Sequence, residues 1–383
     1  MRNSIDKRQK FNSFAFVFLI YIYSITTVFS LVTNQGITIV VISVLVIGPI
    51  LLNNINHLKK RVISALLLEL LVLIILLIHK QIYFSNSDEI NNIFLQFLGL
   101  GTISILVGIL DTDSYFVEKN FDYLSIVCFF TSFLYLVLIR GSFFYSMRFG
   151  YALLPSSIWF LCSYIKRRKI GWLLLFIVSV LLLMVYGSRG TLLSIGLLLV
   201  LMSVRFRWWW VLFFSLLFIL FSDVFLRFLE GGVQWLAEIS GARKVQGLLA
   251  LFQGDIMDSS SGRDELYERC ILLFKENPLG IGIGFWQSDP FMNGLYPHNI
   301  FLEIAVEFGI IGIFVFVIIL GLLIVRLFRL DKSLFFPYAA LFAICFGRLL
   351  VSSMYWSRPE FWLILSFFLF NFPRNKQEVL YRE

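Results

Sequence analysis

The stretch "IGWLLLFIVSVLLLMVYGSRGTLLSIGLLLVLMSV", Ile170–Val204, decides the fold. Two apolar runs, about 170–187 and 191–204, are separated by a glycine-bounded turn whose only charge is Arg189. A membrane-spanning helix needs about 20 mostly apolar residues, and the rest of the chain supplies such runs one after another. Of its 383 residues, 59% are hydrophobic and 15% charged, with a mean hydropathy of +0.86. Soluble domains average about 45–50% apolar and about 25% charged. The solvent implied by this composition is a bilayer, and the expected fold is an all-α polytopic membrane protein.

Apolar runs place about twelve transmembrane helices at 11–31, 36–52, 62–79, 93–110, 122–140, 148–164, 170–187, 191–204, 208–229, 299–325, 335–353 and 358–372. With both termini cytoplasmic, the inner segments hold 20 of the 32 Lys and Arg, the sign that membrane topology requires. The net charge of +8 therefore reflects short basic clusters between spans, and a nucleic-acid partner is excluded. Cys128, Cys162, Cys270 and Cys345 lack the spacing of a disulfide framework or a zinc site and read as packing residues. The run after "MRNSIDKRQK" is too long for a signal peptide and reads as a retained first helix. The whole chain, 1–383, is expected to be one integral membrane domain, with 230–298 a long outer loop inside it.

Within that loop, Val233, Leu236 and Ile239 suit a helix lying on the membrane surface. "SSSGRDELYERCILLFKENP" reads as a capped helix started by Ser261 and Asp264 and stopped at Asn277-Pro278. Leu266, Cys270, Leu273 and Phe274 form its apolar face. "GIGIGFW" is expected to be a flexible link.

Arginines stand where the positive-inside bias disfavours them. Arg140, Arg148, Arg189, Arg348 and Arg358 fall at outer ends of spans, against one lysine, Lys80, and Arg263 opens the loop helix. Snorkelling would be served as well by lysine, whereas guanidinium grips phosphate bidentately. Several arginines converging from different helices point to a pyrophosphate site at the outer face. Arg189 and Arg263 also stand at helix starts, where backbone amides favour an anion.

"YPHNIFLEIAVEFGIIG", Tyr296–Gly312, puts an imidazole at a helix mouth and two carboxylates inside the helix. His298 is read as a general base, with helix capping as the structural alternative; His79 reads as a snorkelling residue. Asn299, Glu303 and Glu307 recur every four residues and share a face. A carboxylate at that depth must be paired or face a cavity. "DTD" at 111–113 falls on the inner side and reads as a solvated loop.

Four separated segments together resemble the O-antigen ligase and O-antigen polymerase superfamily: "GSRGTLL", "SGRDELYERCILLFKENPLGIGIG", "PHNIFLEIAVEFGIIG" and "YWSRPEFW", within residues 185–365. The resemblance implies a GT-C-like bundle in the bacterial inner membrane. It implies an inverting glycosyltransferase whose donor and acceptor are polyprenyl-pyrophosphate-linked oligosaccharides. His298, Arg189 and Arg263 would be catalytic. Arg358, Arg348, Arg148, Arg140, Asn299 and Glu307 would bind pyrophosphate or glycan. Neither metal nor cofactor is expected, because arginine charge would stabilise the leaving group. A chain-length regulator is a further possible partner. Polymerase is the first expectation, O-antigen ligase the alternative and a lipid-linked oligosaccharide flippase the second alternative.

Overall fold

The computed structural model describes residues 2–29, 35–54, 59–82, 88–138, 147–185, 189–209, 263–287, 289–292 and 294–371. The described residues form helices and connecting loops, with no strand among them. In chain order these are α1 (Arg2–Phe29), α2 (Gln35–Asn54), α3 (Lys59–Ile82) and α4 (Asp88–Gln96). A π-turn, Phe97–Gly101, joins α4 to α5 (Thr102–Gly108). Then come α6 (Ser114–Leu138), α7 (Met147–Arg167), α8 (Ile170–Val185) and α9 (Arg189–Phe206). After the undescribed segment follow α10 (Arg263–Glu276), α11 (Ile300–Arg329), α12 (Lys332–Leu349) and α13 (Pro359–Phe370).

Every apolar run expected to span coincides with helix except 208–229, which lies outside the described residues, as do Ser261 and the surface helix expected around 233–239. Among the described residues, four helical segments are long and apolar enough to cross a membrane: Arg61–His79, Asn91–Gly108, Ile300–Arg329 and Lys332–Leu349. Shorter apolar helices accompany them at Val44–Asn54, Ile170–Leu183, Gly190–Phe206 and Pro359–Phe370. Exposed Leu67, Leu71 and Ile74 on α3, and Ile311, Phe314 and Val317 on α11, put apolar surface where lipid would solvate it.

Helix α12 is the centre of the bundle: 83% of its apolar window is buried, against 17% for α11. It packs on α7 and α9, while α1 packs on α2, α6 and α7, and α13 lies against α5. Small residues set the closest approaches. A Cβ on Gly347 of α12 would fall 2.2 Å from Ser194 Oγ of α9, and one on Gly108 of α5 would fall 1.8 Å from Ser366 Oγ of α13. Between lipid-solvated helices, van der Waals contact of this kind replaces the hydrophobic drive available in water.

The end of the bundle expected to face the cytoplasm is closed by ion pairs. Arg61 meets Asp111 at 2.5 Å, Arg167 meets Asp122 at 2.7 Å, and Lys166 bonds Glu118. "DTD" is thus structural: besides the Asp111 pair, Asp113 Oδ1 accepts from the amides of Tyr115 and Phe116 and starts α6 at 114. The four cysteines are free and buried, as packing residues should be.

The glycine run after α10 departs from expectation. "GIGIGFW" is no flexible link; it is a backbone plug seated in a break of α11. Gly309 has φ 65 and ψ −156 and interrupts the helix, freeing carbonyls that an apolar medium cannot hydrate. The plug supplies the partners: Ile281 N donates to Val306 O at 2.9 Å and Gly282 N to Glu307 O at 3.2 Å. In return, Ile310 N donates to Pro278 O at 2.9 Å. His79 belongs to this junction too, its ring edge-on to Phe308 and its Nδ1 accepting from Ile283 N at 3.4 Å, so it does not snorkel. Contact this close requires glycine on both sides. A Cβ on Gly280 would lie 2.5 Å from Glu307 O, and one on Gly309 would lie 2.3 Å from Pro278 O. Gly309→Ala therefore combines a clash with a left-handed φ, and we expect a loss of at least about 2 kcal/mol in thermal or denaturant unfolding of the detergent-solubilised protein. Wild-type stability in that variant would contradict the seated plug.

Candidate anion site at the outer helix ends

The N-termini of α7, α9, α10, α11 and α13 and the C-terminus of α12 meet at the end opposite the ion pairs. A helix N-terminus presents unsatisfied amides and a partial positive charge, so several converging on one spot favour an anion. Side chains reinforce this. Arg263 opens α10, Arg348 ends α12 and Arg358 stands immediately before Pro359, the first residue of α13. All three act electrostatically on the Tyr151 hydroxyl of α7, which also bonds Ser352. Arg189 opens α9, and its neighbour Gly190 lies directly against this group: a Cβ there would fall 2.2 Å from Tyr151 Oη and 2.8 Å from Val351 Cγ2.

None of the ion pairs among the described residues involves Arg263, Arg348 or Arg358. Arg348 is 4% exposed and bonds Ser353 Oγ through Nε at 3.1 Å. Arg358 Nε is buried with no hydrogen-bond partner. The Arg348 charge acts against the Arg358 guanidinium, and the Glu360 carboxylate partly offsets it. Two guanidinium groups destabilise each other here, and a multivalent anion would relieve both.

His298 sits beside this group. It is not the helix cap; Asn299 is, its Oδ1 accepting from the amides of Phe301 and Leu302 at 2.9 and 3.3 Å while its side chain also bonds Tyr267. His298 holds φ 57, a left-handed conformation uncommon for a side-chain-bearing residue and a form of backbone strain seen at functional sites. Its ring lies 3.9 Å from that of Tyr296, whose hydroxyl donates to Ser352 O at 2.7 Å. Burial, then the Arg263 charge, lower the imidazole to about 4, while a bond to the Ser352 backbone pulls the other way. Nδ1 is buried and unpartnered. With no hydrogen-bond partner, Nδ1 is free to take up a proton, as a base requires.

The carboxylates lie beneath. Glu307 is 1% exposed and accepts from Tyr355 Oη at 2.6 Å and Trp356 Nε1 at 3.3 Å. It also meets the Gly284 backbone. It thereby ties α11, the glycine plug and the 355–358 turn together, which places it as an organiser of the Arg358 turn and not on a substrate surface. Glu303 is fully buried, approached by the Tyr355 backbone, and neither oxygen has a hydrogen bond of acceptable geometry. Asp289, paired with Arg269 at 2.6 Å, anchors the segment leading to His298 onto α10 and is held below the usual carboxylate range despite the opposing effect of burial, by the hydrogen bond from Arg269.

The structure thus brings together Arg263, His298, Arg348 and Arg358, with the start of α9 against them. The side chains of Arg189 and Arg148, and all of Arg140, lie outside what is described. Among described residues, no group of three His, Cys, Asp or Glu is placed to hold a metal ion. Sequence reading missed Tyr23, Tyr151, Tyr296 and Ser352: an isolated Tyr or Ser among apolar residues reads as packing until the fold puts it against an arginine.

Residues 173–317 match a family model described as O-antigen ligase. The matched segment carries Arg189, Arg263, His298, Asn299, Glu303 and Glu307; Arg348, Arg358, Tyr23 and Tyr151 fall outside it. No curated protein matches the chain.

Glu307→Ala leaves the Tyr355 hydroxyl and Trp356 indole N–H buried without an acceptor, an expected loss of about 2–4 kcal/mol. Glu307→Gln keeps an acceptor and should lose less than half of that. Thermal unfolding of both variants tests the assignment; equal losses would contradict it.

Proposed function

We propose that this chain, whose residues 173–317 match a family model described as O-antigen ligase, is a surface-polysaccharide polymerase. It is a helical membrane protein of O-antigen ligase or polymerase type, and members of that family act on lipid-linked glycans. The polymerase would join polyprenyl-pyrophosphate-linked oligosaccharide repeats on the outer face of the inner membrane.

One observation carries this reading: arginines without carboxylate partners gathered at helix N-termini, beside an imidazole whose Nδ1 is free. In the proposed reaction an acceptor sugar hydroxyl attacks the anomeric carbon of the donor. Its proton passes to His298 Nδ1 as the new C–O bond forms. The bond to the pyrophosphate oxygen breaks, and the leaving group's charge is taken by Arg263, Arg358 and, on the sequence pattern, Arg189. Attack from the face opposite the leaving group inverts the anomeric centre. Arg348 and, on the sequence pattern, Arg148 and Arg140 would hold the donor, while Asn299 fixes the His298 turn. The whole chain would work as a single domain with loop 230–298 as its outer wall, and with both termini cytoplasmic.

Ligase is the second reading, favoured by the match of residues 173–317 to the O-antigen ligase family model. The acceptor would then be a lipid A core sugar. Deleting the gene and separating the cell's surface glycans on a gel discriminates. Core with one repeat supports the polymerase; bare core with long lipid-linked polymer supports the ligase. Single lipid-linked repeats stranded on the inner leaflet would instead mean a flippase and would overturn both.

Two further outcomes are expected. His298→Ala should lose at least about 100-fold in kcat while still inserting and binding donor. Arg263→Ala should be inactive, and Arg263→Lys should recover little, because a point charge does not reproduce the bidentate fork. Full activity of the lysine variant would defeat that argument. The pH dependence has a defined sign. A base must be unprotonated, and His298 is lowered from 6.5 to about 4, so it stays neutral through the physiological range. The acid limb of kcat/KM should lie well below pH 6.5; a limb at 6.5 or above would contradict the buried, Arg263-facing imidazole.

A further inference from the structure

The matched family segment begins at residue 173, yet the arginine group leans on two rings contributed by earlier helices. Arg348 Cζ lies 4.1 Å from the ring centroid of Tyr23 on α1 and 4.7 Å from that of Tyr151 on α7. Arg358 Cζ lies 5.2 Å from the same Tyr23 ring. One ring therefore serves two guanidinium groups, and Arg348 is held between two rings.

A buried arginine is ordinarily neutralised by a carboxylate. Acids are available nearby, since Glu303, Glu307 and Glu360 are all buried in this part of the bundle. None of them forms an ion pair with Arg348 or Arg358. A carboxylate within salt-bridge distance would cancel the charge. An aromatic face attracts a cation through its quadrupole and carries no net charge, so the guanidinium stays cationic toward a third party. It also keeps the planar fork rigid, which lowers the ordering cost of bidentate contact.

We propose that Tyr23 and Tyr151 are positioning residues whose ring faces hold Arg348 and Arg358 with their charge left free for the phosphate oxygens of a lipid-linked pyrophosphate. This rests on the anion reading of the site. The Tyr23 ring is the shared platform; Tyr151 supplies the second face and fixes the start of α9 through its contact with Gly190.

The test measures binding of an isoprenyl pyrophosphate to the full chain in detergent, with Arg348→Ala, Tyr23→Phe and Tyr23→Leu beside wild type. The expected result is at least a tenfold weaker Kd for Arg348→Ala and for Tyr23→Leu, with Tyr23→Phe within about twofold of wild type. If Arg348→Ala binds as wild type does, the anion reading itself fails. If Arg348→Ala loses binding while Tyr23→Leu keeps it, the anion reading stands and the platform proposal falls. Equal loss in Tyr23→Phe and Tyr23→Leu assigns the effect to the hydroxyl and also overturns the proposal. Should Tyr23→Leu not accumulate, a series of increasingly fluorinated phenylalanines at position 23 keeps the ring's shape while draining its π density. Affinity should then fall stepwise with fluorine number, and a flat series would overturn the proposal.

Discussion

Like charges crowded together with no carboxylate in ion-pair contact are the constraint on which this end of the bundle depends. Arg348 and Arg358 share one tyrosine ring, with Arg263 close enough to act on the same Tyr151 hydroxyl. Two neighbouring cations, one buried and one partly so, are tolerated only where something holds each of them and an anion is at hand. Ring faces and the Ser353 hydroxyl do the holding, and Arg348 stands in the last turn of α12, the end of a helix that favours a cation. Glu307 is engaged by Tyr355 and Trp356, and Glu360 acts on Arg358 without forming an ion pair with it. The arrangement suits a ligand that brings more than one negative charge.

The same logic runs through the backbone. An apolar medium leaves no water for an orphaned carbonyl, so the break of α11 at Gly309 exists only because Ile281 and Gly282 donate into it. That plug does more than repair a helix. Glu307, next to the break, reaches across to the 355–358 turn and so couples the plug to Arg358. The segment bearing His298 is pinned at its other side by Asp289 on Arg269 and capped by Asn299. His298 and Arg358 are thus set by one connected frame that includes the break at Gly309.

Much of this was legible in the chain itself. Length and hydropathy of the apolar runs gave the helices, because in lipid a spanning helix has little alternative. The arginines at outer helix ends stood out because they break the charge bias. What stayed hidden depends on long-range packing. "GIGIGFW" reads as a flexible link since nothing local reveals a broken helix 25 residues further on, as the Gly284-to-Gly309 separation shows. Asn299 rather than His298 as the cap is decided by backbone dihedrals. Tyr23 and Tyr151 carry no local signal, because a ring that holds a cation and a ring that fills a core look alike in sequence.

The most direct measurement is a cryo-electron microscopy map of the full chain in a lipid nanodisc with an isoprenyl pyrophosphate bound. The account predicts phosphate density within hydrogen-bonding distance of the guanidinium groups of Arg263, Arg348 and Arg358, with the bond to be cleaved facing His298. Phosphate density at the inner end, beside Arg61 and Arg167, with these three arginines untouched, would contradict it.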